Sequence, residues 1–183
     1  MITRLNESRD QIINSIDFIR IINELVINHS NKIEGEEINY KQCILDWIKD
    51  HNLNTKEIYD WLIRNENNFD CSNSFVLLGD FYYLGIETNV NESKAFKYYK
   101  KAANSGNVTG TICLGYCYNH GIGNQNTRNS RKRSFDFYQH AAKQKSSCGM
   151  INLGYCYENG IGTEKNMIKA NQWYKKSKIK KTK

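Results

Sequence analysis

The sequence predicts an all-α fold: an α–α superhelix, or solenoid, of helix-turn-helix repeats behind an N-terminal helical cap. Three observations predict it. First, the string Leu153-Gly154-Tyr155-Cys156-Tyr157-Glu158-Asn159-Gly160-Ile161-Gly162 repeats Leu114-Gly115-Tyr116-Cys117-Tyr118-Asn119-His120-Gly121-Ile122-Gly123, which stands 39 residues earlier. A looser copy, Leu78-Gly79-Asp80-Phe81-Tyr82-Tyr83-Leu84-Gly85-Ile86, stands 36 residues before that. A fixed period in this range is the signature of stacked helical pairs. Second, Leu and Tyr stand four apart in every copy (Leu78 and Tyr82, Leu114 and Tyr118, Leu153 and Tyr157), which puts them on one face of a helix. Third, counting back four from Ala95, Ser134 and Ala170 reaches Asn91, Ser130 and Asn166. All three are good N-cap residues, so a second helix opens at the same place in each copy.

Residues 6–27 read as a helix. Ser8 and Gln11 form a capping box. Ile12, Ile16, Ile19 and Ile22 recur at three and four residues, and Ile13, Leu25, Val26 and Ile27 broaden the stripe. Residues 28–35 are polar and turn-like. A second helix spans roughly 36–51, with Ile38, Ile44, Leu45, Trp47 and Ile48 apolar and Glu36 and Glu37 suited to its first turn. A short third helix follows Asn54 and carries Ile58, Trp61 and Leu62. Residues 1–71 thus form a cap, because the end unit of a solenoid otherwise leaves an apolar face in water.

Residues 72–183 hold the repeats, at about 72–107, 108–146 and 147–183, and end in a basic tail. In each repeat the first helix (A) closes on Leu-Gly-x-x-Tyr-x-x-Gly. Gly79, Gly115 and Gly154 each forfeit about 1 kcal/mol of helix propensity relative to Ala. Their recurrence points to a steric need, the backbone of another helix passing close. Gly85, Gly121 and Gly160 stand where a left-handed C-cap is wanted. The second helix (B) carries Tyr98-Tyr99, Phe137-Tyr138 and Trp173-Tyr174, and Ala102, Ala141 and Ser177 follow at a fixed distance. Large followed by small suits close stacking of neighbouring repeats. The chain has no proline, so Asn, Ser and Gly must mark its helix ends.

The 183 residues suit one domain, or one array with its cap. Charged residues at 25% and hydrophobic ones at 39% fit an ordered chain. No run reaches the roughly 18 apolar residues of a membrane span. Residues 1–15 hold Arg4, Glu7, Arg9 and Asp10, unlike a secretory signal. The six cysteines, Cys43, Cys71, Cys113, Cys117, Cys148 and Cys156, therefore read as reduced thiols of a cytoplasmic protein. Of the 26 bases behind the net charge of +7, four lie in the stretch 128–133 and six in 175–183. The remaining 16 face 19 acids. The basicity reads as one loop and one tail, with no stripe along the repeats of the kind nucleic acid requires.

These residues resemble Sel1-type repeats, relatives of the tetratricopeptide repeat. The family pattern of Leu-Gly, Tyr, Gly-x-Gly, then Ala, aromatic-Tyr, Lys-Ala-Ala and Gly is matched by Leu114, Gly115, Tyr118, Gly121 and Gly123, and by Leu153 through Gly162. Ala95, Tyr98, Tyr99, Lys101, Ala102, Ala103 and Gly106 match its second half. Three positions depart from it: Glu87 replaces the second glycine of the first repeat, Lys145 stands at the place of Gly106, and Ser177 replaces an alanine. The Asn-rich repeats, and the region from Leu25-Val26-Ile27-Asn28 to Trp61-Leu62 before them, are also similar to the C-terminal part of a fungal family in which a protein-kinase domain is followed by a short helical segment and such repeats. That resemblance implies a kinase-less portion, and no Gly-rich loop, His-Arg-Asp or Asp-Phe-Gly element occurs in the sequence.

Candidate sites are few. Gly121-Ile122-Gly123 and Gly160-Ile161-Gly162 look like phosphate loops, but such loops open a helix after a strand, whereas these close one. Cys113, Cys117 and His120 at i, i+4, i+7 have the spacing for zinc ligands or a nucleophilic pair. Cys156 recurs at the place of Cys117 and Asn159 at that of His120, which favours core packing. No metal, cofactor or catalytic residue is expected. The run Arg128, Arg131, Lys132, Arg133 reads as a solvated loop, with a nuclear-localisation signal or nucleic-acid element as the alternative. The surface left is the inner face of successive A helices, where Asp80, Tyr83, Tyr116, Asn119, Tyr155 and Glu158 are available. The expected function is a non-catalytic scaffold or adaptor that holds a peptide or helical segment of a protein partner there. The alternatives are a regulatory module of a protein kinase and a Cys-dependent hydrolase.

Overall fold

The computed structural model describes residues 40–66, 71–124 and 129–179; the helix expected over 6–27 and the start of the one over 36–51 lie outside them. The described residues form eight α-helices and no strand: α1 Tyr40–Asp50, α2 Thr55–Arg64, α3 Ser72–Leu84, α4 Glu92–Asn104, α5 Val108–His120, α6 Ser130–Lys143, α7 Ser147–Asn159 and α8 Met167–Ile179. A short 3₁₀ turn, Ile122–Asn124, follows α5. Helices α3, α5 and α7 are the A helices, each packed against its own B helix, α4, α6 and α8; α4 and α6 also pack on the A helix that follows.

Helix ends are set by the residues that proline-free chemistry leaves. Asn54, Asn91, Asn107, Ser146 and Asn166 each accept a hydrogen bond from a first-turn amide. At α6 the cap is Asn129 rather than Ser130, which is buried as the first helical residue. Gly85, Gly121 and Gly160 close the A helices in the left-handed conformation, at φ of 63°, 70° and 70°. After α3 and α7 the chain is pinned back by Asn91 N–H to Tyr82 C=O and Asn166 N–H to Tyr157 C=O, both 2.8 Å.

Leu78, Tyr82, Leu114, Tyr118 and Leu153 are buried and Tyr157 is half-buried, so the repeated Leu–Tyr stripe forms the core. Ala95, Ser134 and Ala170, one per B helix, are fully buried. Each B helix meets the next A helix through an aromatic edge: Phe96 on Tyr118 at 5.7 Å and Phe135 on Tyr157 at 5.4 Å. On α8 the corresponding residue is the exposed Asn171. Ile44, Ile48, Ile58 and Leu62 of α1 and α2 join the core of the first repeat.

The repeated glycines have two separate causes. At Gly79, Gly115 and Gly154 an added methyl would come within 2.6, 2.8 and 2.7 Å of a ring carbon of Tyr99, Tyr138 and Tyr174. The neighbour expected there is helix backbone; it is instead the ring of the B-helix tyrosine of the same repeat. The backbone approach occurs one turn earlier. At Gly149 a methyl would meet the main chain of Ala141 and Ala142 at 2.7 Å, and at Gly110 it would meet Ala102 Cβ at 2.5 Å. Ala102 and Ala141 are small because Gly110 and Gly149 of the following repeat rest on them. The first repeat has Ser74 at this place, fully buried.

Two departures from the repeat pattern keep its backbone. Glu87 and Lys145 hold φ of 55° and 63°, the left-handed region occupied by Gly123 and Gly162 and by Gly106 at the matching positions. Glu87 is bonded there to the Thr55 hydroxyl. Lys145 has no glycine's freedom, and the equivalent Gly106 has open space around it. Lys145→Gly is therefore expected to stabilise the fold by about 1 kcal/mol, the left-handed penalty less the extra entropy of a glycine. Thermal melting checks it, as a rise of about 2–4 °C.

Candidate interaction surface

One stripe of each A helix, at i, i+3 and i+7, changes along the array from buried to open. It reads Leu77-Asp80-Leu84 on α3, Cys113-Tyr116-His120 on α5 and Asn152-Tyr155-Asn159 on α7. Tyr116 and Tyr155 are 39% and 48% exposed, whereas Asp80 at the same repeat position is 2% exposed. The cause is α1. Its Tyr40 hydroxyl donates to Asp80 Oδ2 at 2.9 Å, and its Lys41 ammonium reaches the Gly85 carbonyl at 3.1 Å. Tyr99 completes the site by donating to Asp80 Oδ1 at 2.8 Å. Asp80 thus does not offer a partner contact, as its place in the motif suggests; it fastens α1 and α4 together from within.

Burial pushes the Asp80 carboxyl up to about 7, against the two tyrosine hydrogen bonds, which favour its charged form. Tyr40 and Tyr99 are raised well above the usual phenol range, by burial first and then by the Asp80 charge. The Cys113 thiol is likewise raised, by burial and then by Asp80.

Of the other expected contacts, Tyr116 and Tyr155 lie on the open part of the stripe, and Tyr83, Asn119 and Glu158 stand beside it, half-buried. Tyr83 and Tyr116 meet edge to face with ring centroids 6.2 Å apart and hydroxyls 3.4 Å apart, joining the first two repeats. The ring of His120 lies 4.2 Å from that of Tyr116, and Asn119 Nδ2 is 3.3 Å from His120 Nε2. Glu158 accepts from the Tyr174 hydroxyl at 2.6 Å, so its carboxylate is already engaged. Tyr155 is the most open of the set. The surface is therefore aromatic and amide in character, with one tethered acid.

Cys117 and its repeat equivalent Cys156 are not activated thiols. Burial pushes Cys117 and Cys156 up to about 12, so both stay protonated thiols at neutral pH. Burial lowers His120. Among the described residues no three His, Cys, Asp or Glu side chains are placed to hold a metal ion, and no helix is long and apolar enough to cross a membrane.

The charge distribution overturns the expected one. Arg131, Lys132 and Arg133 form the first turn of α6, not a loop, and Lys175, Lys176 and Lys178 lie within α8; Arg128, Lys180, Lys181 and Lys183 fall outside the described residues. Helices α4, α6 and α8 each carry four Lys or Arg and share two acids, Glu92 and Asp136. The A helices carry no Lys or Arg. Moreover, the cation three residues after each aligned cap position, Lys94, Arg133 or Lys169, lies over the ring of Tyr82, Tyr118 or Tyr157 at 4.7, 5.4 and 5.3 Å. Only a repeat-by-repeat alignment of the B helices reveals this row, because acids elsewhere mask it in the average.

Antiparallel helix pairs, stacked so that each B helix seats the next A helix, define an all-α repeat solenoid. The Sel1 repeat family matches residues 76–107, 114–146 and 149–178, and the chain belongs to that family. Sel1 repeats are generally protein-interaction modules and typically non-catalytic. A Sel1 repeat protein from Oxalobacter formigenes is similar in structure, with a TM-score of 0.59 and 26% identity over 68% of this chain and 48% of that one. A protective antigen present in uropathogenic Escherichia coli strains, with an SLR fold, has a TM-score of 0.56 and 23% identity over 86% of this chain and 37% of its own. The chain spans about half or less of the length of these proteins. No curated protein sequence matches it significantly.

Proposed function

We propose that the protein is a non-catalytic scaffold that holds an extended or helical segment of a protein partner on the exposed A-helix stripe of the second and third repeats. One observation carries the reading. Along a stripe whose first third is buried beneath α1, Tyr116 and Tyr155 are left 39% and 48% exposed with Tyr83 beside them. Tyrosines that combine an apolar body with a polar tip are what protein interfaces select for their anchors. The α1 helix also supports the reading, since its Tyr40 and Lys41 hydrogen-bond to the first A helix at this stripe.

The test is capture of partners by the full chain, compared with Tyr116→Ala/Tyr155→Ala. Loss of two interface tyrosines is expected to weaken binding by about tenfold or more, at unchanged helicity. A partner held equally well by both proteins would sink the proposal. A module that regulates a protein kinase differs from this in the partner's identity, not in the surface used, and the captured protein decides between the two.

A further inference from the structure

We infer that the outer surface of the B layer is a second binding face, one that takes an acidic helical segment of a protein laid across α4, α6 and α8. The inner stripe holds no Lys or Arg, whereas these three helices hold twelve of the eighteen among the described residues, so the two faces suit partners of different chemistry.

Three observations carry it. The cations are largely unneutralised: of the twelve on these helices, only Lys101 and Lys132 lie within ion-pair distance of an acid among the described residues. They are also ordered. Lys94, Arg133 and Lys169 occupy one repeat position, each held over the tyrosine of its own A helix, which fixes where the charge sits on every repeat. Two turns further on, Lys101 and Lys176 lie over Tyr98 and Trp173, at 5.3 and 4.4 Å, making a second row with His140 between them.

The spacing selects the partner. Helices α3 and α5 pack directly on each other, and helices packed in this way stand about 8–10 Å apart, so each repeat advances by roughly that distance. A helix laid across them rises about 10.5 Å in seven residues, so a carboxylate on every second turn meets one cation per repeat. A nucleic-acid strand is the poorer fit, because it stacks its bases on open aromatic faces and here Tyr82, Tyr98 and Tyr118 are buried. An anionic membrane wants apolar side chains beside the bases, and the exposed Met167 and Ile168 supply these on α8 alone.

The experiment measures binding of a labelled helical peptide with glutamate pairs at seven-residue intervals to the full chain. An isomer with the same glutamates gathered at one end, single-stranded RNA and phosphatidylserine vesicles serve as competitors. The spaced peptide is expected to bind best, to weaken steeply with salt, and to be indifferent to Tyr116→Ala/Tyr155→Ala. Lys94→Glu/Arg133→Glu/Lys169→Glu is expected to lower its affinity by about tenfold or more. Because those residues touch core rings, Lys100→Glu/Lys175→Glu, at exposed positions, provides the same test with the melting temperature unchanged. Equal binding of the two peptides, tighter binding of RNA or vesicles, or affinity that neither variant alters would overturn the inference.

Discussion

Gly149→Ala is expected to destabilise the protein by about 2–3 kcal/mol, although it adds a better helix former to the middle of a helix. Helix propensity alone favours the change by about 1 kcal/mol. Against this stands a methyl at 2.7 Å from the main-chain carbon of Ala141 and the nitrogen of Ala142. Overpacking costs about 1–3 kcal/mol where a side chain can yield and occasionally more; here backbone must yield, which puts the cost at about 3–4 kcal/mol. The two helices must part, and with them the seat of α7 on α6. A fall of roughly 4–10 °C in melting temperature is expected. Gly110→Ala meets Ala102 Cβ first, so there Ala102→Gly is expected to restore part of the loss, giving a favourable coupling in a double-mutant cycle. Gly149→Ala melting like the parent would mean that the repeats are not stacked this tightly.

These glycines also show where sequence reasoning succeeds and where it stops. The period, the Leu–Tyr stripe and the glycine C-caps are local, repeated in three copies and tied to helix geometry, so the A/B pairs follow from them directly. The Gly of Leu-Gly repeats just as clearly, but its cause does not: a tyrosine ring and a passing backbone both demand glycine, and only coordinates separate them. Asp80 was legible as an odd residue where the later repeats have tyrosine. Its burial was not, because the residue that covers it, Tyr40, lies 40 positions away in a segment outside the repeat register. The basic row escaped for another reason. Charge averaged along the chain mixes the two layers, and the fold separates them.

The protein is expected to lose stability as pH rises from about 4 to about 7, and Asp80→Asn is expected to abolish most of that loss. In the fold the Asp80 carboxyl titrates at about 7, against 3.8 in an unfolded chain. Folding therefore holds a proton that the unfolded chain releases. Such a group contributes its full stability below the unfolded value, gives it up as pH climbs to the folded value, and changes nothing further above it. At 1.36 kcal/mol for each tenfold change, the loss is at most about 4 kcal/mol. Other groups act with different signs or elsewhere. Burial lowers His120, so its effect is a gain as pH rises through its own range; Glu66 is lowered chiefly by a hydrogen bond from Tyr98, so its effect lies below about pH 4.5. The difference between parent and Asp80→Asn isolates the carboxyl from both. An asparagine keeps a hydrogen-bonding partner for Tyr40 and Tyr99 without a charge to bury, so the variant should melt close to the parent at pH 5 and several degrees above it at pH 8. Parallel melting curves for the two proteins across that interval would show that the carboxyl stays ionised throughout, and that the contact between α1 and α3 is wetter than Tyr40, Asp80 and Tyr99 make it.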